Sequence, residues 1–341
     1  MRAAIFHETG GPEVLRMEDV PTPTAGAGQV LVQVRAAAMN HLDLWVRRGM
    51  PIETTMPHIG GSDIAGVVSA VGAGVDAGRI GQRVVANPSL WCGTCRECAG
   101  GREVFCERFR IVGEHTDGGF AEYVAVGAEA AHPIPDTLSF ESAAALPIAY
   151  QTAWRALIGR AVLRAGEDVL VIGASGGTAL AAVQIALFAG ARVFAVTRGE
   201  ENVARLRALG AHHVYDRAHE DFSKAVYRDT AKRGVDVVVE NVGEPTWAGS
   251  LRALARGGRL VTYGATSGHR GESDIRLLFW KQLQIIGTTM ASRAEFAAML
   301  ATVARGAIDP VIDTVLPLDH AREAHERLEA GGQFGKIILT P

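Results

Sequence analysis

From about residue 168 the sequence alternates short apolar runs with helix-like stretches, and this rhythm limits the fold more than any other feature. DVLVIGA (168–174), ARVFAVT (191–197), VDVVVENVG (235–243), RLVTYGA (259–265) and LQIIGTTM (283–290) read as strands. GTALAAVQIALFAGA (177–191) and EENVARLRALGA (200–211) read as helices, the second closed by Gly210. Strands separated by helices need crossover connections, and crossovers build a parallel sheet covered on both faces. The expected class is α/β with a doubly wound parallel sheet.

The chain before this array has a different character. QVLVQVRAAAMN (29–40), GVVSAVGAGV (66–75) and GGFAEYVAV (118–126) are short strand patterns, and PTPTAGAGQ (21–29) is a loop. SFESAAALPIAYQTAWRALI (139–158) reads as one helix with Ser139 as N-cap, and GKIILT (335–340) as a closing strand. A length of 341 residues suffices for two separate cores. With 34 basic and 37 acidic residues the net charge is -3, so the chain lacks the basic excess of a nucleic-acid or membrane-surface binder. No apolar run reaches the roughly 18 residues of a membrane span, and MRAAIFHETGG lacks a signal-peptide core. The expectation is a cytoplasmic protein with a small-molecule substrate.

The strand DVLVI runs into GASGGTA (173–179) and then a long helix. Small residues let the backbone approach a pyrophosphate, and a helix N-terminus offers free N–H groups. Ser175, Gly176, Gly177 and Thr178 are the candidate contacts. The G-x-G-x-x-G spacing is not met, since Ala174, Gly176 and Ala179 occupy the matching positions. A glycine-rich turn joining any strand to any helix would look similar; its place at the head of a βαβ array favours the nucleotide. At the end of the second strand, where an acidic residue usually holds the ribose hydroxyls of NAD, the sequence has Thr197 and Arg198. A carboxylate would repel a 2′-phosphate, whereas Thr and Arg accept one. The expected cofactor is therefore NADPH.

All four cysteines fall within fifteen residues: Cys92, Cys95, Cys98 and Cys106, spaced C-x2-C-x2-C-x7-C. In a reducing compartment such a cluster indicates metal before disulfides. Four thiolates close a tetrahedral site with no open position, so the expected ion is one structural zinc.

With these residues the chain resembles the medium-chain dehydrogenase/reductase superfamily over essentially its full length. The cysteine spacing is that of the zinc lobe of zinc-containing alcohol dehydrogenases, and GSDIAGVV (61–68) and GGFAEYVAV (118–126) match further landmarks. The resemblance implies a GroES-like β-barrel catalytic domain from 1–149 and 290–341, with a Rossmann domain at 150–289 between them. It extends the cofactor contacts to Asn241, Gly264, Ala265, Thr288 and Thr289. It also implies a homodimer, with the apolar segment 283–290 as an edge strand that pairs across a two-fold axis.

The departures bear on the chemistry. Positions that carry the three catalytic zinc ligands in the resembling enzymes here hold Asn40, Ser62 and Ile148, with Asp63 as acidic neighbour. His41, His58, Asp63 and His115 are the remaining groups from which an unusual metal site could be assembled. Asn40-His-Leu-Asp43 instead resembles the Asn-x-x-Asp of zinc-independent quinone oxidoreductases. Asn40 could bind a substrate oxygen and Asp43 orient it, or both could belong to a hydrogen-bond network at a barrel corner. Tyr150 is a further candidate for the carbonyl and Thr152 for positioning the nicotinamide. The expected function is NADPH-dependent reduction of an enone or quinone without catalytic zinc. An alcohol dehydrogenase or aldehyde reductase is the alternative, and a non-catalytic NADPH-binding redox sensor the second.

Overall fold

The computed structural model describes residues 1–51 and 54–341. Two compact units emerge, one from 1–148 with 292–341 and the other from 149–291.

The second unit is built on six parallel strands. In spatial order they are His213–Asp216, Arg192–Thr197, Asp168–Ile172, Val235–Glu240, Leu254–Thr262 and Gln284–Gly287. Numbered along the chain, that order is 3-2-1-4-5-6, the dinucleotide-binding order. The interiors of the two central strands are runs of Val, Leu and Ile because both faces are covered: Val169, Leu170, Val171, Ile172, Val237, Val238 and Val239 are fully buried. The helix Gly177–Phe188 follows the first strand directly, and Gly210, at φ 102°, stands just past the helix Glu200–Ala208.

The first unit is mostly antiparallel. Ala131–Pro133, Arg83–Ala86, Asp63–Val71, Gln29–Ala38, Lys336–Thr340 and Ile312–Pro317 lie side by side, and Tyr123–Gly127 also pairs with Gln29–Ala38. A three-stranded sheet, Arg16–Asp19, Arg2–Phe6 and His58–Ile59, shares its core, in which Val32, Ile64, Val84, Phe120 and Ile337 meet. Only the last two strands of the larger sheet, Ile312–Pro317 and Lys336–Thr340, run parallel.

Two expectations about elements need correction. The segment 139–158 is not one helix. It divides into Phe140–Ala144 and Pro147–Trp154, followed by a π-helical stretch Arg155–Arg160. Pro147 has no N–H to continue the first helix and its fixed φ suits the start of a new one. Ser139 does cap the first helix, accepting from Ser142 N at 3.0 Å. The strand read at 66–75 begins earlier, at Asp63, and ends at Val71. Gly72 then turns so close to Gly26 O that a Cβ would lie 1.7 Å from it.

Candidate active site

In the first unit the strand Gln29–Ala38 ends two residues before Asn40, which starts the helix His41–Arg48. Ala38 pairs with Asp63, so the Asn40 turn and the Gly61–Asp63 corner arrive at one end of the sheet. Gly61 makes that corner at φ +95°, where a Cβ would lie 2.6 Å from the Phe120 ring.

The four polar groups at this corner satisfy one another. Asn40 Nδ2 donates to Asp63 Oδ2 at 2.9 Å and to Ala38 O at 3.4 Å. Lys336 Nζ donates to Asn40 Oδ1 at 2.6 Å, Met39 O at 2.7 Å and Asp63 Oδ2 at 2.9 Å. Asp63 Oδ1 accepts from Ile148 N at 2.8 Å. Asp43 accepts from Asn40 N at 2.7 Å and Gly61 N at 3.0 Å, tying both turns together. Burial pushes the Asp43 carboxyl up to about 7, against the pull of those two N–H groups.

Both N–H groups of Asn40 are thus spent inside the protein, which makes it a positioning residue rather than a free donor. Asp43 holds the backbone N–H groups of Asn40 and Gly61. Tyr150 and Thr152 lie in the second unit, and the Tyr150 hydroxyl donates to Gln184 Oε1 at 2.6 Å. Lys336 went unnoticed in the sequence; the signal was a lysine heading the apolar strand KIILT.

The histidines do not assemble a metal site. His58 Nε2 donates to Gly113 O at 3.1 Å, and His115 Nδ1 accepts from Ile111 N at 3.2 Å. His41 opens its helix, with its pKa lowered by burial, then by Lys336 and Arg48. Among the described residues, only the cysteines bring three or more potential ligand atoms together.

Those cysteines form a compact cluster, all four Sγ atoms lying within 4.8 Å of one another. Cys92 Sγ is 3.8 Å and Cys95 Sγ 3.5 Å from Cys98 Sγ. Zn–S bonds of about 2.3 Å at tetrahedral angles place sulfurs about 3.8 Å apart, so the cluster fits a structural zinc. Backbone N–H groups already point at the sulfurs: Cys95 N at Cys92 Sγ, 3.3 Å, and Cys92 N and Arg108 N at Cys106 Sγ, each 3.4 Å. The N–H groups of Thr94 and Cys95 hold the Cys92 thiol down to about 5, favouring the ligating thiolate.

In the second unit the carboxyl ends of the strands offer a row of unsatisfied groups. Thr197 Oγ1, Asn241 Oδ1, Tyr263 OH and Thr288 Oγ1 are buried without a hydrogen-bond partner. Each ends or follows a different strand of the sheet, at the edge where doubly wound folds bind nucleotides. Ser175, Gly176, Gly177 and Thr178 are half-buried at the adjoining turn, and Gly176 caps its helix with no side chain in the way. Gly264 is half-buried at this edge, and Ala265 and Thr289 are exposed there. Arg198 is exposed beside Thr197. Arg217, missed in the sequence, donates its N–H to Thr197 O at 3.0 Å, and its pKa is lowered by burial and then by Arg198. Two arginines whose charges feel each other therefore belong to residues at one strand end. These residues fit a dinucleotide.

Comparison with known proteins agrees with this geometry. Residues 26–136 match the alcohol dehydrogenase GroES-like domain, and residues 177–305 match the zinc-binding dehydrogenase family. Rat (Rattus norvegicus) quinone oxidoreductase is 35% identical, over 99% of this chain and 97% of that protein. The chain belongs to the medium-chain dehydrogenase/reductase superfamily. As a member of it, the protein is a pyridine-nucleotide-dependent oxidoreductase. The solved structure of an NAD-dependent alcohol dehydrogenase matches with TM-score 0.97 and 43% identity, covering 100% of both chains. A crotonyl-CoA carboxylase/reductase in complex with NADP matches with TM-score 0.94 and 28% identity, covering 100% of this chain and 94% of that one. No helix among the described residues of this superfamily member is long and apolar enough to cross a membrane.

Proposed function

We propose that the protein reduces an activated C=C bond or a quinone with NADPH, by direct hydride transfer and without a catalytic zinc. One observation carries this reading: the corner that would have to hold the zinc is occupied by Lys336 and its three acceptors. An amide, a hydroxyl and an aliphatic chain at positions 40, 62 and 148 are not a zinc donor set. The ammonium takes both the Asn40 oxygen and an Asp63 oxygen, so a dication there would have to displace a buried cation.

A bound nicotinamide supplies the hydride. The protein's part is to stabilise negative charge on the substrate oxygen, which hydrogen-bond donors can do for an enolate or quinol. Reduction of an unactivated ketone instead builds a localised, more basic alkoxide, which asks for stronger stabilisation such as a Lewis acid supplies. The preference for NADPH rests on Arg198 and Arg217 beside Thr197. The structural ion would be one zinc on Cys92, Cys95, Cys98 and Cys106. A homodimer is part of the same reading. Beside the edge strand Gln284–Gly287, Ile275, Phe279 and Trp280 are 65–74% exposed, more apolar surface than an isolated subunit tends to leave uncovered.

The likeness to an NAD-dependent alcohol dehydrogenase favours a second reading, oxidation of an alcohol on the same scaffold. Steady-state assays separate the two. Turnover of 2-cyclohexen-1-one or 1,4-naphthoquinone with NADPH, and none of benzyl alcohol with NAD+ or NADP+, is the expected result. The reverse pattern replaces the first reading with the second.

A further inference from the structure

We infer that Ser62 and Asn87 are the donors that hold the substrate's carbonyl oxygen, an assignment that rests on the reductase reading above. Both are buried, at 0% and 1% exposure, and each carries a hydrogen-bonding atom with no partner in the protein: Ser62 Oγ and Asn87 Nδ2. The Asn87 amide is oriented by its other end, because Oδ1 accepts from Ser89 N at 3.1 Å. The unpaired atom is therefore the NH2 group.

The strand register places these residues together. Asn87 follows Ala86, which pairs with Ile64, so it stands opposite the Asp63 end of the neighbouring strand. Ser62 immediately precedes Asp63. The next loop closes over both: Val112 N donates to Pro88 O at 2.9 Å, and a Cβ on Gly113 would lie 2.8 Å from Ser62 N. The pair thus flanks the Asn40–Asp63–Lys336 network, whose own donors are committed.

Leaving an amide and a hydroxyl buried and unpaired costs stability and does nothing for the fold. Such groups are expected where a ligand atom completes them. Both can donate, so the missing partner is an acceptor. During reduction of an enone, hydride adds to the β-carbon and the C=C electron pair moves through the α-carbon onto the carbonyl oxygen. The resulting enolate oxygen accepts from Ser62 Oγ–H and Asn87 Nδ2–H more strongly than the ground-state carbonyl did. A proton from water then completes the α-carbon.

The test uses Ser62→Ala, Asn87→Ala and the near-isosteric Asn87→Asp, which keeps the acceptor for Ser89 N. Three quantities are read: turnover of 2-cyclohexen-1-one with NADPH, affinity for 2-naphtholate as an enolate mimic in the presence of NADP+, and the urea midpoint. Each variant should lose roughly 10- to 100-fold in kcat and about tenfold in naphtholate affinity, with the KM for NADPH unchanged. The midpoint for Ser62→Ala should stay level or rise, since an unpaired hydroxyl is removed. A purely structural role predicts the opposite, a lowered midpoint with kcat retained in the folded fraction. Folded variants with wild-type kcat and naphtholate affinity overturn the assignment, as does a wild-type protein that does not bind naphtholate. If the wild type binds naphtholate and the variants weaken it, but no enone or quinone turns over, the donors stand and the reductase reading falls.

Discussion

The Lys336 ammonium lies 2.9 Å from the Asp63 carboxylate with both side chains buried, at 3% and 0% exposure. Such a pair is a weak source of net stability, but removing one partner strands the other charge. Lys336→Met should destabilise the first unit by about 3–5 kcal/mol. Adding Asp63→Asn to that variant should recover part of the loss. Urea denaturation followed by tryptophan fluorescence measures both. A loss below about 1 kcal/mol for the single variant would contradict the buried pair.

Glu114 supplies a pH test. It is 5% exposed, its Oε2 has no hydrogen-bond partner and lies 3.7 Å from His115 Nδ1, and burial raises its pKa to about 7. The unfolded chain releases this proton near pH 4.3, about where a free glutamate does. Between there and 7 the folded state holds a proton that the unfolded state has lost, so stability falls as pH rises. Above 7 that deficit is complete. Glu114→Gln should therefore gain about 1–3 kcal/mol at pH 8 and little at pH 4. Equal gains at both pH values would exclude ionisation as the cause.

Elemental analysis of protein purified without chelator should find one zinc per chain and not two. Cys106→Ser should lower zinc content and loosen the lobe at 92–106, read as faster proteolysis there, since closed thiolate sites contribute directly to folding. A second equivalent of zinc, retained in that variant, would revive a catalytic metal site.

NADPH should be preferred over NADH. One Arg–phosphate contact contributes about 1.5–3 kcal/mol, or roughly 10- to 100-fold. Arg198→Ala and Arg217→Ala should each erode the preference in kcat/KM, mainly through the KM for NADPH. Equal use of both cofactors by the wild type would refute the role of both arginines.

The edge strand Gln284–Gly287 should mediate a homodimer. Ile285→Lys places a charge on that edge without touching the core, since Ile285 is 41% exposed. Light scattering at micromolar concentration should report a dimer for the wild type and a smaller mass for the variant. A wild-type monomer would count against this interface.

The sequence by itself determined what repeats or lies close along the chain. Apolar runs separated by helical stretches specify a parallel sheet because only crossovers can join them. Four cysteines within fifteen residues specify a compact thiol cluster that fits a metal, because short loops leave the thiols few other arrangements. The glycine-rich turn and Thr197–Arg198 were legible because each is a local stretch of backbone ending a strand. The tertiary structure alone decided what depends on atoms distant in sequence. Lys336 reaches Asn40 across 296 positions and commits the amide that the Asn-x-x-Asp pattern left free for substrate. Asn87 has no signature in a pattern of residue types, and Ser62 stands out in the sequence only as the residue at a zinc-ligand position. Their pairing as donors emerges only when strand register brings Ala86 beside Ile64 and burial leaves both atoms unpaired. Residue spacing along the chain cannot reveal which hydrogen bonds are already made, because that depends on what folding brings within 3 Å or so.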